Sequence, residues 1–300
     1  MAVSAASLLS LLGWRASLEI GSVVGRIARW TSPRKTPRAS KNLALAGVPD
    51  HGPASRRAWR RAGQTAAEIL WAVSQQPNQV LKHVRITGLN ILRDAAKEGH
   101  GVLLVSGHLG NWEFASMAAG LAEVPVAVVA EPMRTRRLER RVVAFRERCN
   151  VRTLMRGQPG ASVVAARWLL RGGVLGCIMD RTRQGIFKTV PFLGQAACIP
   201  LGPATLACRA GAAVVLGCAA RLEDGSTEVT FKRIPTGSTR DPEDLACRVG
   251  LALEQEVRSR PEQWLWIFRR QPRLSRAQVA PGSPVPRRAH PPGADSAAAS

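Results

Sequence analysis

Four short apolar runs constrain most of what this chain can fold into. Gly101–Ser106, Val124–Ala130, Gly173–Met179 and Ala212–Ala219 are dominated by Val, Leu, Ile, Ala and Cys, without polar alternation. A strand wet on one face alternates with period two, so an unbroken run marks a strand covered on both faces, as in a parallel sheet. The intervening segments carry helical periodicity: Leu89–Glu98, Asn111–Leu121, Thr135–Arg148, Ser162–Leu170 and Pro203–Ala210. Strands alternating with helices predict an α/β fold, a mainly parallel sheet wrapped by helices. With 300 residues, 45% of them apolar, the chain has enough apolar content for a full core.

The flanks extend this pattern. Residues 54–76 read as a helix whose basic Arg56, Arg57, Arg60 and Arg61 give way to Ala66, Ile69, Leu70 and Val73 on an apolar face. Val84–Ile86 is a short strand, Glu228–Arg233 a more exposed one, and Pro242–Ser259 a helix. From Leu8 to Trp30 the chain is rich in Leu, Val, Ile and Trp, but Arg15, Glu19, Arg26 and Arg29 interrupt it. On a helix these four share a stripe roughly 80° wide. No uncharged run of membrane-spanning length exists there, so a helix lying in a membrane interface is expected, with Trp14 and Trp30 at its ends. A core helix followed by a solvated turn is the alternative. Pro33–Arg38 with Lys41 adds a basic cluster suited to anionic headgroups. There is no basic amino-terminal region of the kind that opens a cleavable signal peptide. After Arg273 the chain turns to Pro, Ala, Arg, Ser and Gly, too polar to order itself. The expected organisation is a membrane-associating segment over 1–45, a globular domain over 46–272 and a disordered tail over 273–300.

The 43 Lys and Arg against 21 Asp and Glu give a net charge of +22, so the partner surface is anionic. Nucleic acid, acidic lipid headgroups and an acidic carrier protein all qualify. A nucleic-acid binder would interleave basic residues with exposed aromatics, whereas Tyr is absent here and several Trp and Phe sit in apolar patterns, so no nucleic-acid partner is expected. The six cysteines are scattered singly, without C-x-x-C pairing or nearby histidines, which speaks against zinc and for small buried hydrophobes in a reduced protein. No metal is expected.

One segment carries chemistry. Ser106-Gly107-His108-Leu109-Gly110-Asn111-Trp112-Glu113 leaves a buried strand and enters a helix. The carboxyl ends of parallel strands form the ligand crevice of such sheets. His108 in the loop and Glu113 in the first helical turns would let the imidazole fold back onto the carboxylate. That contact fixes one ring nitrogen and frees the other to take a proton from a hydroxyl. Gly107 and Gly110 allow a tight loop. G-x-S-x-G, the phosphate-binding P-loop, H-E-x-x-H and G-x-G-x-x-G are all absent, so direct attack of a substrate hydroxyl on a thioester is the natural reaction class.

Ser106–Glu113 resembles the H-x4-(D/E) motif of the lipid A biosynthesis acyltransferases, the late acyltransferases of lipopolysaccharide assembly, within the wider lysophospholipid acyltransferase group. Further blocks agree in order: Lys41–Ala46, Arg146–Arg148, Asp180-Arg181, Val190–Gly194, Pro200–Ala204, Arg209–Ala212, and Gln263–Trp266 with Arg269-Arg270. The resemblance runs from about residue 8 to 271. It implies a glycerolipid-acyltransferase-like sheet, an acyl carrier protein or coenzyme A thioester as donor, no other cofactor, and a phosphorylated lipid A precursor as acceptor. His108 would be the general base, Glu113 its orienting partner, and Arg146 a stabiliser of oxyanion or phosphate charge. Arg140, Arg141 and Arg148 compete with Arg146 for that role. Asp180, with Arg181, would support the site, unless Asp180 pairs only locally with Arg181 or Arg183. Phe192, Leu193 and Ile199 are candidates for an acyl groove. The chain departs from the family in carrying Phe268 where the closing motif often has histidine. The implied location is the cytoplasmic face of a bacterial inner membrane. Acceptors of a different kind, another glycolipid or a lysophospholipid, fit the same residues, and a non-catalytic membrane- or nucleic-acid-binding protein is the reading from another class.

Overall fold

The computed structural model describes Leu9 and residues 11–181, 185–237 and 240–268. Arg183, Arg269, Arg270 and the tail lie outside the described residues. Helices α1 (Trp14–Trp30), α2 (Lys35–Leu45), α3 (His51–Ala72) and α4 (Pro77–Leu81) come first. The α/β alternation then begins with β1 (Val84–Thr87), α5 (Leu89–Lys97), β2 (Val102–Ser106), α6 (Trp112–Ala119), β3 (Val126–Ala130) and α7 (Arg136–Arg148). It continues through β4 (Val151–Met155), α8 (Ala161–Leu170) and β5 (Val174–Ile178). A hairpin of β6 (Phe187–Phe192) and β7 (Gln195–Pro200) precedes α9 (Leu201–Ala210), β8 (Ala213–Arg221), β9 (Thr227–Arg233) and α10 (Pro242–Ser259).

Seven strands form one sheet in the order β1-β9-β8-β2-β5-β3-β4. All neighbours are parallel except β8 and β9, as the apolar runs predict. Every residue of β2 and β8 is buried. Alternate β2 residues serve opposite faces: Leu103 and Val105 pack with α9 and α10, Val102 and Leu104 with α6. Burying one such leucine contributes about 1.5–3 kcal/mol. Phe192, Leu193 and Ile199 are fully buried in the first of these layers and do not line the cavity described below, which corrects their reading as an acyl groove.

Several elements differ from the sequence reading, among them the short helices α2 and α4, which it did not expect. The predicted reading passes over β4, an edge strand whose Arg152 and Thr153 break the apolar run. It also passes over the β6–β7 hairpin, whose turn places Leu193 at φ 52° and Gly194 at φ 71°. Such turns favour Asn-Gly, and leucine adopts this backbone here because its side chain is anchored in the core.

Helix α1 packs against α3 through Gly21, Gly25 and Gly63, so closely that a Cβ on Gly63 would overlap the Gly21 carbonyl oxygen. Trp14 is buried against Trp71 and donates to the Gly225 carbonyl at 3.2 Å, which corrects its expected interfacial placement: it is a core residue. Trp30 is 81% exposed, and Ile20, Val23, Val24 and Ile27 also face outward. Among the described residues no helix is long and apolar enough to cross a membrane. Helix α2 is tied to the end of the domain by Asn42, whose amide donates to the carbonyls of Trp266 (2.9 Å) and Phe268 (3.2 Å).

Candidate active site

His108 leaves the carboxyl end of β2, and Asp180 lies just beyond the adjacent strand β5. That adjacency joins residues 72 positions apart. The His108 Nδ1 sits 2.8 Å from Asp180 Oδ1, and the His108 backbone N–H donates to Asp180 Oδ2 at 2.7 Å. Trp264 Nε1 donates to the same Oδ2 at 2.8 Å. A carboxylate only accepts, so Nδ1 carries the proton and Nε2 is left as the acceptor. Burial disfavours the Asp180 carboxylate, but the His108 ring and the three hydrogen bonds outweigh it and hold the group below the usual aspartate range.

The carboxylate on the imidazole is therefore Asp180, which corrects the assignment of Glu113 as the orienting partner. Glu113, in the first turn of α6, instead holds Arg146 of α7 in a bidentate pair, Nε to Oε2 at 2.8 Å and Nη2 to Oε1 at 2.6 Å. Arg146 also reaches Thr153 Oγ1 at 3.4 Å. This geometry singles out Arg146 from its neighbours: Arg148 donates to the carbonyls of Val73 and Gln75, and Arg140 is exposed on α7. Asp180 is likewise more than a local partner of Arg181. The Arg181 guanidinium stacks 3.9 Å from the Phe268 ring, which stands edge-on to His108 with centroids 5.2 Å apart. Trp112 flanks the imidazole from another side at 5.0 Å. Phe268 thus supplies an apolar wall beside the imidazole.

A cavity of about 1270 Å³ opens at the carboxyl ends of the strands. His108, Glu113, Arg146 and Arg181 line it, together with apolar residues such as Leu104, Val128, Leu175 and Leu206. The cavity brings a base, a cation and a long apolar wall into one space. Asp180 stands behind His108, outside the lining. Cys177 also lines it, but burial pushes its thiol up to about 12, so it is a poor nucleophile. Among the described residues, no group of three His, Cys, Asp or Glu is placed to hold a metal ion.

The loop carrying His108 is held by residues that motif reading missed or knew only by resemblance. Gly110 N–H donates to the Gln263 carbonyl at 2.9 Å, and Leu265 N–H to the His108 carbonyl at 3.1 Å. Gly110 has φ 54°, and a Cβ there would overlap the Ala219 carbonyl oxygen, so the position requires glycine. Beneath the loop lies a buried ion pair, Glu68 of α3 with Arg221 of β8. Glu68 lies off the face that the sequence reading took as apolar: the structure buries Ala67, Glu68, Trp71 and Ala72, while Ala66 is exposed and Ile69 and Leu70 are half-buried, so the pair had no sequence signal.

The profile of the bacterial lipid A biosynthesis acyltransferases matches residues 1–272. The chain belongs to that family. It is 26% identical to the lipid A biosynthesis palmitoleoyltransferase of Escherichia coli over 263 residues, 84% of this chain and 83% of that protein. It is also 34% identical over 136 residues to the phosphatidylinositol mannoside acyltransferase of Mycobacterium tuberculosis, 43% of this chain and 42% of the relative. The corresponding protein of Mycolicibacterium smegmatis is 31% identical over 164 residues, 53% and 50% of the two chains. The chain thus aligns with half or less of the length of these mycobacterial relatives.

Proposed function

We propose that this member of the family transfers a fatty acyl group from a thioester to a glycolipid hydroxyl. The observation that carries the reading is the His108–Asp180 contact at the head of a large, mostly apolar cavity. His108 Nε2 takes the proton as the acceptor hydroxyl attacks the thioester carbonyl. Asp180 holds the ring in the needed tautomer and stabilises the imidazolium that forms. Arg146, fixed by Glu113, offers positive charge to the oxyanion or to an acceptor phosphate. The tetrahedral intermediate then collapses, expelling the thiolate, which recovers a proton from His108. The reaction consumes only the thioester and the hydroxyl.

The donor is an acyl carrier protein or coenzyme A thioester, and the acceptor a lipid A precursor. The mycobacterial relatives support a second acceptor class, a mannosylated phosphoinositide. Placement at an anionic membrane surface is supported by the outward Ile20, Val23, Val24, Ile27 and Trp30, beside the basic Arg34, Lys35, Arg38 and Lys41 of the next segment. The location that accords with this reading is the cytoplasmic face of a bacterial inner membrane. Mass spectrometry of glycolipids from cells with and without the gene tests the reading. One acyl chain fewer in the deletion strain supports it, and an unchanged profile of both lipid classes overturns it.

A further inference from the structure

We infer that the buried Glu68–Arg221 pair is a positioning device for His108, reached through Asn111 and Gln263. The inference rests on the acyl-transfer reading only for its kinetic readout.

The base-bearing loop, residues 107–111, has two fastenings besides Asp180, one ending on the Glu68 carboxylate and the other on the backbone of Arg221. On one side the loop runs antiparallel to the closing segment, with Leu109 bridged to Trp264 and with the two backbone bonds from Gly110 and Leu265. That segment is fixed by Gln263, whose side chain accepts from Arg221 N–H at 2.7 Å and donates to the Arg221 carbonyl at 2.9 Å. On the other side Asn111 donates its amide to Glu68 Oε2 at 3.3 Å. Glu68 Oε1 accepts from Thr227 Oγ1 at 3.3 Å, and the carboxylate is ion-paired with the Arg221 guanidinium. The Glu68 side chain is fully buried and that of Arg221 is 5% exposed.

Neither side chain lines the cavity, so neither touches substrate. A buried ion pair is also weak evidence of stabilisation, since well-packed apolar replacements are often neutral or better. What this pair does supply is direction. Its hydrogen bonds fix Asn111 at the start of α6 and hold β8 under Gln263, and these two points flank His108. Trp264, in the segment that Gln263 anchors, completes the hold on Asp180. Loss of the pair removes the Asn111 fastening directly, and it loosens the Gln263 side through β8, because the Gln263 bonds go to the Arg221 backbone. A misplacement of about 1 Å costs on the order of 10²-fold in rate.

Two variants test this. Glu68→Leu/Arg221→Met removes both charges together and so leaves none uncompensated. Asn111→Ala cuts the link to the loop and leaves the pair intact. The expected result for each is a kcat lowered about 10- to 100-fold, KM within about threefold, and amide exchange at Gly110 and Leu265 faster by a similar factor. A folded variant with wild-type kcat and unchanged exchange overturns the inference. So does a loss of activity that merely tracks the unfolded fraction. If the acyl-transfer reading fails, no sample shows a rate, wild type included, and amide exchange still decides whether the clamp exists.

Discussion

Replacing Asp180 by asparagine separates the two assignments available for the histidine's partner. The carboxylate accepts three hydrogen bonds, from His108 Nδ1, His108 N–H and Trp264 Nε1. Asparagine offers one oxygen and turns an NH2 group towards at least one of these donors. Each bond to a charged acceptor contributes about 1.5–3 kcal/mol, and an unmatched buried donor costs a further 1–3 kcal/mol or so. Asp180→Asn is therefore expected to lower stability by about 2–4 kcal/mol, read by denaturant unfolding. Loss of the fixed tautomer is expected to lower kcat by about 10³- to 10⁴-fold, the scale of the equivalent change in a Ser-His-Asp triad. Glu113→Gln is the control. It weakens the hold on Arg146 and is expected to lower kcat by less than Asp180→Asn does. A folded Asp180→Asn protein with near-wild-type kcat, or a larger loss of kcat in folded Glu113→Gln than in Asp180→Asn, refutes the assignment.

Other consequences are checked more simply. The lowered Asp180 value means its contribution to stability is present above the unfolded aspartate value of about 3.9 and is lost as pH falls through the folded one, so melting temperatures of wild type and Asp180→Asn converge below about pH 4. Gly110→Ala forces a Cβ into the Ala219 carbonyl at positive φ, and should either prevent folding or abolish activity, seen by circular dichroism and transfer assay. Gly63→Leu drives α1 away from α3 at a cost of about 1–3 kcal/mol, measured by thermal melting. Val24→Asp with Ile27→Asp on the outward face of α1 should release the protein from anionic vesicles in a flotation assay without lowering its melting temperature.

The central architecture was legible because its signals are local. β2, β5 and β8 are unbroken apolar runs, and α10 opens with Asp241 capping Glu243 N–H at 2.9 Å, Pro242 in the first turn and acids behind it, so its bounds match. The hairpin was hidden because a buried leucine holds a turn that sequence rules reserve for asparagine or glycine. Within the site, His108 was legible from the strand–loop–helix frame. Its partner was not, since spacing points to Glu113 on the helix that follows, whereas strand order in the sheet brings Asp180 from beyond the neighbouring strand. Glu113 is close in sequence but spends both oxygens on Arg146.

The most direct measurement is acyl transfer by purified protein, from a labelled acyl carrier protein or coenzyme A thioester to purified lipid A precursor or mannosylated phosphoinositide, with wild type and His108→Ala side by side. Transfer by wild type and its loss by a factor of about 10³ or more in a folded His108→Ala protein is the expected outcome. Equal rates in the two proteins contradict the account.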